Sequence, residues 1–333
     1  MLEGDFGVMK IEEVVLPEVG PGQVLLQVYA AGVSHVQLRQ VAEMQSQPRL
    51  MGEEAVCRVM GVGPGVGHAA PGDLVVVSPY AAPGAPAAEI RIDLEDGAET
   101  VPTRLFTFAT NVVIDGRHVY HIERPADREA AAILGSTVAG GAGAVIESGL
   151  GSGASAAIFG ASGTGLAAIE AARNLGAQAI IVVDRSDKRL AIATKLGATE
   201  TINATTDAAN ARIRELCPGG VAFLFDCVDD YRTKNRPGRV AVADRGVTVL
   251  LGRSGTDDDA ERMKTAAKAG GYVLPGPPEG LLPTLISWLA AGKLNLSAIV
   301  TNRYTIEAVN EAVRDLENGD VLGQAIIVME PLE

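Results

Sequence analysis

The sequence predicts an α/β protein in two parts, a β-rich module followed by a doubly wound parallel sheet. Up to about Asn111, short apolar runs are separated by proline and glycine turns, which is typical of antiparallel strands. From about Asp127, alanine-rich helical segments alternate with β-branched strands, which is typical of a parallel sheet. A chain of 333 residues is long enough for two such domains.

The pattern also predicts the individual elements. In the first module we expect strands at Val24–Val28, Ala55–Val62, Leu74–Val77 and Leu105–Thr107. In the second we expect, in order, a strand at Ala156–Phe159, a helix at Leu166–Leu175, a strand at Ile180–Val183, a helix at Ala191–Leu196, a strand at Thr201–Ile202, a helix at Asp207–Leu216, a strand at Val221–Cys227, a helix in or beside Arg239–Ala243 and a strand at Val247–Leu251. The tail reads as helices at Gly280–Ala291 and Ile306–Glu317 and a strand at Ala325–Met329.

One unit in this run carries chemistry. Residues 156–189 form a strand, a glycine turn, a helix and a second strand that ends in an acid, Asp184. Gly160, Gly163 and Gly165 allow a sharp turn, a close approach to a pyrophosphate and tight packing of the helix. The carboxylate lies at the spacing that reaches ribose hydroxyls. The unit therefore predicts a dinucleotide site, although Ser162 replaces the usual middle glycine.

Composition excludes several classes of protein. A net charge of −13 and a pI near 4.9 argue against nucleic acid or anionic membrane as partners. The three cysteines are widely spaced and form no CxxC pair, which argues against a disulfide framework or a cysteine-rich zinc site. We find no signal peptide and no apolar run of membrane-spanning length, so we expect a cytoplasmic protein.

Four further segments precede the dinucleotide unit in the chain: AAGVSHVQL, MGEE, PGDLVVV and ILGSTVAGGAGAV. Their order resembles the zinc-type alcohol dehydrogenases of the medium-chain dehydrogenase/reductase superfamily. The resemblance implies a GroES-like β-barrel catalytic domain at 1–136, completed by 275–333, and a Rossmann domain at 137–274. It also implies a homodimer or homotetramer. For the cofactor it implies contacts at Gly160, Ser162, Gly163, Thr164, Gly165, Asp184, Arg185, Arg189, Cys227, Val228, Leu251 and Gly252.

The same resemblance shows where this chain departs from the family. The family's catalytic zinc is held by two cysteines and a histidine, and the corresponding positions here are Ser34, Glu53 and Ser136. Neutral hydroxyls are poor ligands for zinc, which favours thiolate and imidazole. We therefore expect no zinc and no other metal. The cysteine-bearing lobe that holds the family's structural zinc is missing as well.

Three other residues are candidates for the proton chemistry. His35 lies beside the position of the first ligand, Glu54 matches a carboxylate of the zinc enzymes, and Tyr80 follows the PGDLVVV strand. We hypothesise that Glu53, Glu54 and His35 supply or relay the proton, because close like charges raise the pKa of one acid. The alternative is that His35 and Tyr80 are ordinary structural residues.

Cofactor choice depends on two neighbouring residues. Asp184 favours NAD, because a carboxylate at the ribose repels a 2′-phosphate. Arg185 complicates this preference, because an arginine there can pair with the phosphate of NADP. We prefer NAD to NADP.

Without a Lewis acid, substrates whose developing charge is delocalised need the least help. The leading hypothesis is therefore a zinc-independent NAD(P)H-dependent oxidoreductase that reduces an activated C=C or C=N bond (enone, enal, iminium) of a small organic molecule. One alternative is a carbonyl reductase or an alcohol or sugar alcohol dehydrogenase in which hydroxyls replace the metal. The other is a catalytically silent dinucleotide-binding protein.

Overall fold

The computed structural model describes residues 9–37, 48–94, 97, 99–123, 125, 127–228, 242–251, 272–273 and 280–329. The chain divides into two compact units, one drawn from Met1–Ser136 with Val300–Glu333 and one from Thr137–Ile299. We expected residues 275–333 to complete the first domain, whereas Leu281–Ile299 cluster with the second unit and the chain returns at Val300.

The strands of the described residues are β1 (Gln23–Val33), β2 (Ala55–Val62), β3 (Leu74–Val77), β4 (Asn111–Asp115), β5 (Val119–His121), β6 (Ser155–Phe159), β7 (Ala179–Asp184), β8 (Glu200–Asn203), β9 (Val221–Asp226), β10 (Val242–Leu250), β11 (Tyr272–Val273), β12 (Val300–Thr305) and β13 (Gln324–Val328). The α-helices are α1 (Ala139–Glu147), α2 (Gly163–Asn174), α3 (Asp187–Leu196), α4 (Ala209–Leu216), α5 (Leu281–Ala290), α6 (Leu296–Ile299) and α7 (Val309–Asn318).

The first unit is built on a mixed sheet with the order β12-β13-β1-β2-β3-β5, and β4 also pairs with β1. All of these pairs are antiparallel except β12 with β13. Alternate residues of β1 and β2, among them Val24, Leu26, Cys57 and Val59, are buried in one apolar core. This alternation is the reason that the strands were readable from the sequence.

The second unit contains a parallel sheet with the order β11-β10-β9-β6-β7-β8. The order reverses beside β6, which is the switch point of a doubly wound fold. Residues of β6 and β7 are buried on both faces, and Ile158, Ile180 and Leu166 of α2 are almost fully buried. The predicted fold class, a barrel-like β module with a doubly wound parallel sheet, is confirmed.

Two predicted elements are wrong. Leu105–Thr107 is not a strand: the backbone N–H groups of Thr107 and Phe108 both donate to Met51 O, and Phe106 fills the core instead. The strand of this region is β4, which pairs with β1. Within Arg239–Ala243, Val242 and Ala243 belong to β10 rather than to a helix, because Val242 pairs with Val221 of β9. The remainder of that segment lies outside the described residues.

A helical run at Ala130–Glu147 is long and apolar enough to cross a membrane by length and composition. However, 78% of it is buried inside the structure, as is usual for a core helix of a folded domain. The run begins with a 3₁₀ turn at Ala130–Ile133, continues through a π-helical turn at Leu134–Val138 and ends as α1. Wide turns of this kind recur at functional sites.

Candidate functional site

The glycine turn follows β6 at the carboxyl edge of the parallel sheet. Gly160 has φ of 88°, a conformation that L side chains rarely adopt. A Cβ on Gly165 would lie 1.9 Å from Gly160 O, so the first turn of α2 packs directly on the glycine turn. No other residue fits at Gly165, and the resulting bare backbone at the helix N-terminus suits a phosphate group.

Ser162 is the N-cap of α2, and its φ of −84° and ψ of −175° are ordinary extended backbone. The position therefore needs no glycine, which explains why the usual pattern tolerates a serine here. Gly163 and Thr164 follow in the first turn of the helix, where backbone N–H groups have no intrahelical acceptor. The turn as a whole fits the pyrophosphate of a dinucleotide.

Asp184 ends β7 and connects the turn to the second strand. Its Oδ2 accepts from Ala161 N at 2.8 Å, and its Oδ1 accepts from Ser186 N at 2.9 Å. The side chain is 9% exposed. Each carboxylate oxygen has a second lone pair, so these bonds orient Asp184 without exhausting its capacity to accept from a ribose hydroxyl.

The two arginines after Asp184 lie at the start of α3. Arg185 is exposed, whereas Arg189 is half-buried, and its backbone N–H donates to the N-cap residue Ser186. The turn that carries Arg185 is therefore ordered by Asp184 and Ser186 from both sides.

The ends of β9 and β10 complete this edge. Cys227 N donates to Phe159 O, and the Cys227 carbonyl lies 3.1 Å from where a Cβ on Gly160 would be. Val228 N donates to Asp226 Oδ1, and Leu251 N donates to Asp226 O. Cys227 and Val228 therefore lie beside the glycine turn, and Leu251 lies one strand further along the same edge. The fourth residue predicted on these strands, Gly252, lies outside the described residues.

The first unit brings together a second cluster, at the ends of β1 and β2. Ser136 Oγ donates to Glu53 Oε1 at 2.9 Å, and Ser136 N donates to Glu54 Oε2 at 2.8 Å. Glu54 is 1% exposed, and Gly32 of β1 packs so closely on it that a Cβ there would lie 2.3 Å from Glu54 Oε1. The two acids and the serine thus form one connected group, which we call the acid–serine cluster.

The π-helical turn that carries Ser136 is fixed on β3. A Cβ on Gly135 would lie 2.0 Å from Val77 O, so only glycine fits there. Ser78 Oγ donates to Gly135 O at 2.6 Å and accepts from Tyr80 N at 3.1 Å. Ser78 therefore positions both Ser136 and Tyr80, a role that the sequence analysis missed.

Ser34 follows β1, two residues after the glycine that contacts Glu54. Gln37 Oε1 accepts from Ser34 N at 2.8 Å and from Ser34 Oγ at 3.0 Å, and Ser34 Oγ accepts from Val36 N at 3.2 Å. This is a variant of the capping box, in which Gln37 satisfies the backbone N–H of Ser34 while the hydroxyl of Ser34 satisfies that of Val36. The S-x-x-Q spacing is visible in the sequence and was overlooked, so Gln37 is a second missed residue.

Of the other candidates, Tyr80 is held through its backbone, since Tyr80 O accepts from Tyr120 OH at 2.6 Å. His35 is half-buried in the turn that follows Ser34. The sequence predicts His118 and His121 on one strand, where alternation exposes one of the two side chains and a metal-ligand pair is disfavoured. His121 is exposed on β5, but His118 precedes the strand, is buried, and bonds Ser78 O through Nδ1 at 2.7 Å. His121 is therefore the exposed member of the pair, and only the placement of His118 on the strand is wrong, since it ends the turn before β5.

The donor set at Ser34, Glu53 and Ser136 does not fit zinc. Two of the three positions are neutral serine hydroxyls, and each is engaged with a neighbouring side chain, Ser136 with Glu53 and Ser34 with Gln37. Across the described ranges no group of three or more His, Cys, Asp or Glu side chains is arranged to hold a metal ion. Zinc prefers thiolate and imidazole, and neither is supplied at these three positions.

Comparison with known proteins places this geometry in a family. The alcohol dehydrogenase GroES-like domain model matches residues 20–124, and the zinc-binding dehydrogenase model matches residues 163–270. Together they cover more than half of the chain.

Individual relatives are distant. A sorbitol dehydrogenase of Gallus gallus is 26% identical over 338 residues, which is 94% of this chain and 92% of that protein. An S-(hydroxymethyl)glutathione dehydrogenase of Saccharomyces cerevisiae is 25% identical over 231 residues. That match covers 65% of this chain and spans only 59% of the yeast protein.

Solved structures agree with the family models. An alcohol dehydrogenase zinc-binding domain protein from Burkholderia ambifaria superposes with a TM-score of 0.81 and 26% sequence identity, covering 97% of this chain and 95% of that chain. With both family models matched in the expected order, and with a glycine turn and a GroES-like sheet to match, the chain belongs to the medium-chain dehydrogenase/reductase superfamily of NAD(P)-dependent oxidoreductases.

Proposed function

We propose that this oxidoreductase works without zinc and uses NAD(P)H to reduce an activated C=C or C=N bond of a small organic molecule. The observation that carries the proposal is the Ser136–Glu53 hydrogen bond, which engages two of the three positions where the family places zinc ligands. The chemistry left to such a site is hydrogen bonding and proton transfer, which suits substrates that delocalise their developing charge.

The proposed cofactor contacts are the turn residues, Asp184, and the ends of β9 and β10. The carboxylate of Asp184 is fixed by two backbone N–H groups, which supports binding of ribose hydroxyls and a preference for NAD over NADP. Arg185 and Arg189 follow that carboxylate in the chain, and the exposed Arg185 would support weaker use of NADP.

The glycine turn and Asp184 would hold NADH, which would supply a hydride to the substrate. For an enal or enone, the β-carbon accepts the hydride, the C=C electron pair forms an enolate, and the α-carbon takes a proton. Ser136 Oγ–H is directed toward Glu53 in the structure. The serine can donate to a substrate when Glu53 carries a proton and donates back to Ser136 Oγ. We propose this Glu53–Ser136 pair as the proton path, with Glu54 holding Ser136 in place and His35 recharging the acid.

A second candidate is a carbonyl reductase or an alcohol or sugar alcohol dehydrogenase. The names of the relatives favour it, since one is a sorbitol dehydrogenase. In this case Ser34, Ser136 and Tyr80 would polarise the carbonyl by hydrogen bonding, with a smaller effect than a metal has. A catalytically silent dinucleotide-binding protein is the third possibility.

One assay separates the three. The purified protein is incubated with NADH or NADPH and trans-2-hexenal, cinnamaldehyde, cyclohexenone or a cyclic iminium salt, and products are separated by chromatography. We expect the saturated aldehyde or ketone, or the amine, with NADH preferred. An allylic alcohol as the product would support the carbonyl reductase instead. Tight NADH binding by calorimetry without turnover of any compound would support the silent protein.

We further infer a cytoplasmic homodimer or homotetramer that binds neither nucleic acid nor membrane. The net charge of −13 supports the exclusion of polyanionic partners. Light scattering after size-exclusion chromatography measures the oligomeric state, and a monomer would contradict it.

A further inference from the structure

The amide of Gln37 has a defined orientation. Ser34 N is a donor only, so the atom that it contacts at 2.8 Å must be the oxygen of the side chain. The hydroxyl of Ser34 donates to the same oxygen at 3.0 Å. The choice between oxygen and nitrogen, which is often ambiguous for an amide, is therefore settled by the capping box itself.

The nitrogen of the Gln37 amide takes no part in these hydrogen bonds. Gln37 is 0% exposed, and Nε2 has no hydrogen-bond partner among the residues that the structure describes. A buried donor without an acceptor is unfavourable, and a group that bonds it, whether a water, an ion or a ligand, removes that cost. The capping interaction does not explain why residue 37 carries an amide nitrogen. Capping needs only an acceptor oxygen, which a glutamate would also provide.

The hydroxyl of Ser34 is not available as a donor to a ligand. Its hydroxyl proton is directed to Gln37 Oε1, and its oxygen accepts from Val36 N. The donor available next to Ser34 is thus Gln37 Nε2, on the turn that follows β1. The neighbouring end of β2 carries Glu54, which Gly32 of β1 contacts, and Glu53.

We propose that Gln37 is a catalytic residue whose Nε2 donates a hydrogen bond to the carbonyl oxygen of a conjugated enal or enone. This inference rests on the proposed function and narrows its substrate class. A neutral donor stabilises the negative charge that develops on oxygen when hydride adds at the β-carbon. An iminium substrate loses charge during reduction and has no such oxygen, so Gln37 selects the oxygen-bearing class.

Two variants test the role of the nitrogen. Gln37→Glu keeps the acceptor for Ser34 and replaces the donor, and Gln37→Met has no donor in any protonation state. Each should lower kcat for cinnamaldehyde roughly 100-fold, with less change in KM and none in the affinity for NADH. Gln23→Glu is the matched control, because Gln23 is also buried, accepts from Gly20 N and donates to Ala88 O away from the cluster. It should lower the melting temperature and leave kcat unchanged.

A spectroscopic measurement shows the bond directly. In the complex with NAD⁺, which cannot reduce it, bound cinnamaldehyde should absorb at longer wavelength than in an apolar solvent, since a donor on its carbonyl oxygen lowers the transition energy. Both Gln37 variants should abolish this shift while remaining folded. Wild-type kcat and an unchanged band in either variant would overturn the assignment of Gln37 alone. If the wild-type protein turned over no enal or enone, the proposed function itself would fail.

Discussion

At the scale of single residues, the direction of one proton decides what the acid–serine cluster can do. Ser136 Oγ donates to Glu53 Oε1, while Glu54 accepts from the backbone of Ser136 and is almost fully buried. The two neighbouring acids therefore have different tasks. Glu54 holds the backbone of the serine, and we propose that Glu53 exchanges a proton with its hydroxyl.

Replacing Glu53 tests this division. In Glu53→Gln the amide can bond Ser136 but cannot pass a proton, so kcat for the best enal should fall roughly 100-fold with little change in KM. Steady-state kinetics at saturating NADH give both values. Glu311→Gln, an exposed acid on α7, is the control and should behave as wild type. Undiminished turnover in Glu53→Gln would remove Glu53 from the proton path.

The burial of His118 leads us to expect that the stability of the fold depends on pH. Burial lowers the pKa of His118 below its usual value near 6.5, and this outweighs the bond to Ser78 O, which raises the pKa. The unfolded chain therefore binds the proton first as the pH falls. The contribution of His118 to stability is complete above about pH 6.5 and is lost as the pH decreases toward the lowered pKa.

The measurement is urea unfolding of wild type and His118→Asn at several values between pH 8 and pH 5. The wild-type free energy of unfolding should decline faster on acidification, by at most about 1.4 kcal/mol per pH unit. His121→Asn, on the exposed strand position nearby, should retain the wild-type slope. Parallel pH profiles for wild type and His118→Asn would show that another group controls this range.

The residue scale also shows what sequence reasoning could reach. The order of motifs pointed to Ser34, Glu53 and Ser136, of which the structure joins Glu53 and Ser136 by a hydrogen bond. It did not predict Gln37, because the S-x-x-Q spacing after β1 is a cap signature and by itself indicates no chemistry. Ser78 could not have been found in this way, since its contact with Gly135 joins positions 57 residues apart.

At the scale of elements, strands with strict alternation were predictable and short competing segments were not. Leu105–Thr107 and Asn111–Asp115 are both apolar and close in sequence, and only pairing with β1 decides which becomes the strand. Similarly, β10 starts at Val242 because β9 offers a parallel partner there. The local sequence pattern does not show which segment pairs with a neighbouring strand, because that strand lies elsewhere in the chain.

The glycine turn gives a sharp prediction at this scale. In Gly165→Ala the new Cβ would lie 1.9 Å from Gly160 O, so α2 must move away from the turn. We expect a loss of about 1–3 kcal/mol in stability and a large loss of NADH affinity. Gly140→Ala in α1 is the matched control, because nothing lies within 4 Å of its Cβ position.

Calorimetry with NADH and thermal unfolding measure both effects. Gly140→Ala should keep wild-type affinity and gain up to about 1 kcal/mol in stability, since alanine favours a helix interior. A Gly165→Ala protein with wild-type affinity would show that the tight packing of α2 on the turn is unnecessary for the cofactor.

At the scale of the whole molecule, the change of pattern near Asp127 was enough to predict two units and their fold class. The position at which the chain returns to the first unit was harder to predict, because helix α5 would be amphipathic in either unit. Its neighbour α6 is attached to the second unit through Glu170 of α2, both carboxylate oxygens of which accept from Asn295 N. That attachment is a tertiary contact between residues 125 positions apart and leaves no mark on the local pattern.

Metal dependence is the prediction that concerns the protein as a whole. Ser34 and Ser136 are satisfied by neighbouring side chains, so treatment with EDTA or 1,10-phenanthroline should change neither the melting temperature nor turnover. The triple variant Ser34→Cys, Glu53→His, Ser136→Cys provides two thiolates and an imidazole in their place. Because Glu54 is bonded to the backbone of residue 136, that bond survives the change of side chain. The variant should acquire zinc, measurable by plasma mass spectrometry, and lose stability when chelated, whereas stoichiometric zinc in the wild type would contradict the zinc-free mechanism.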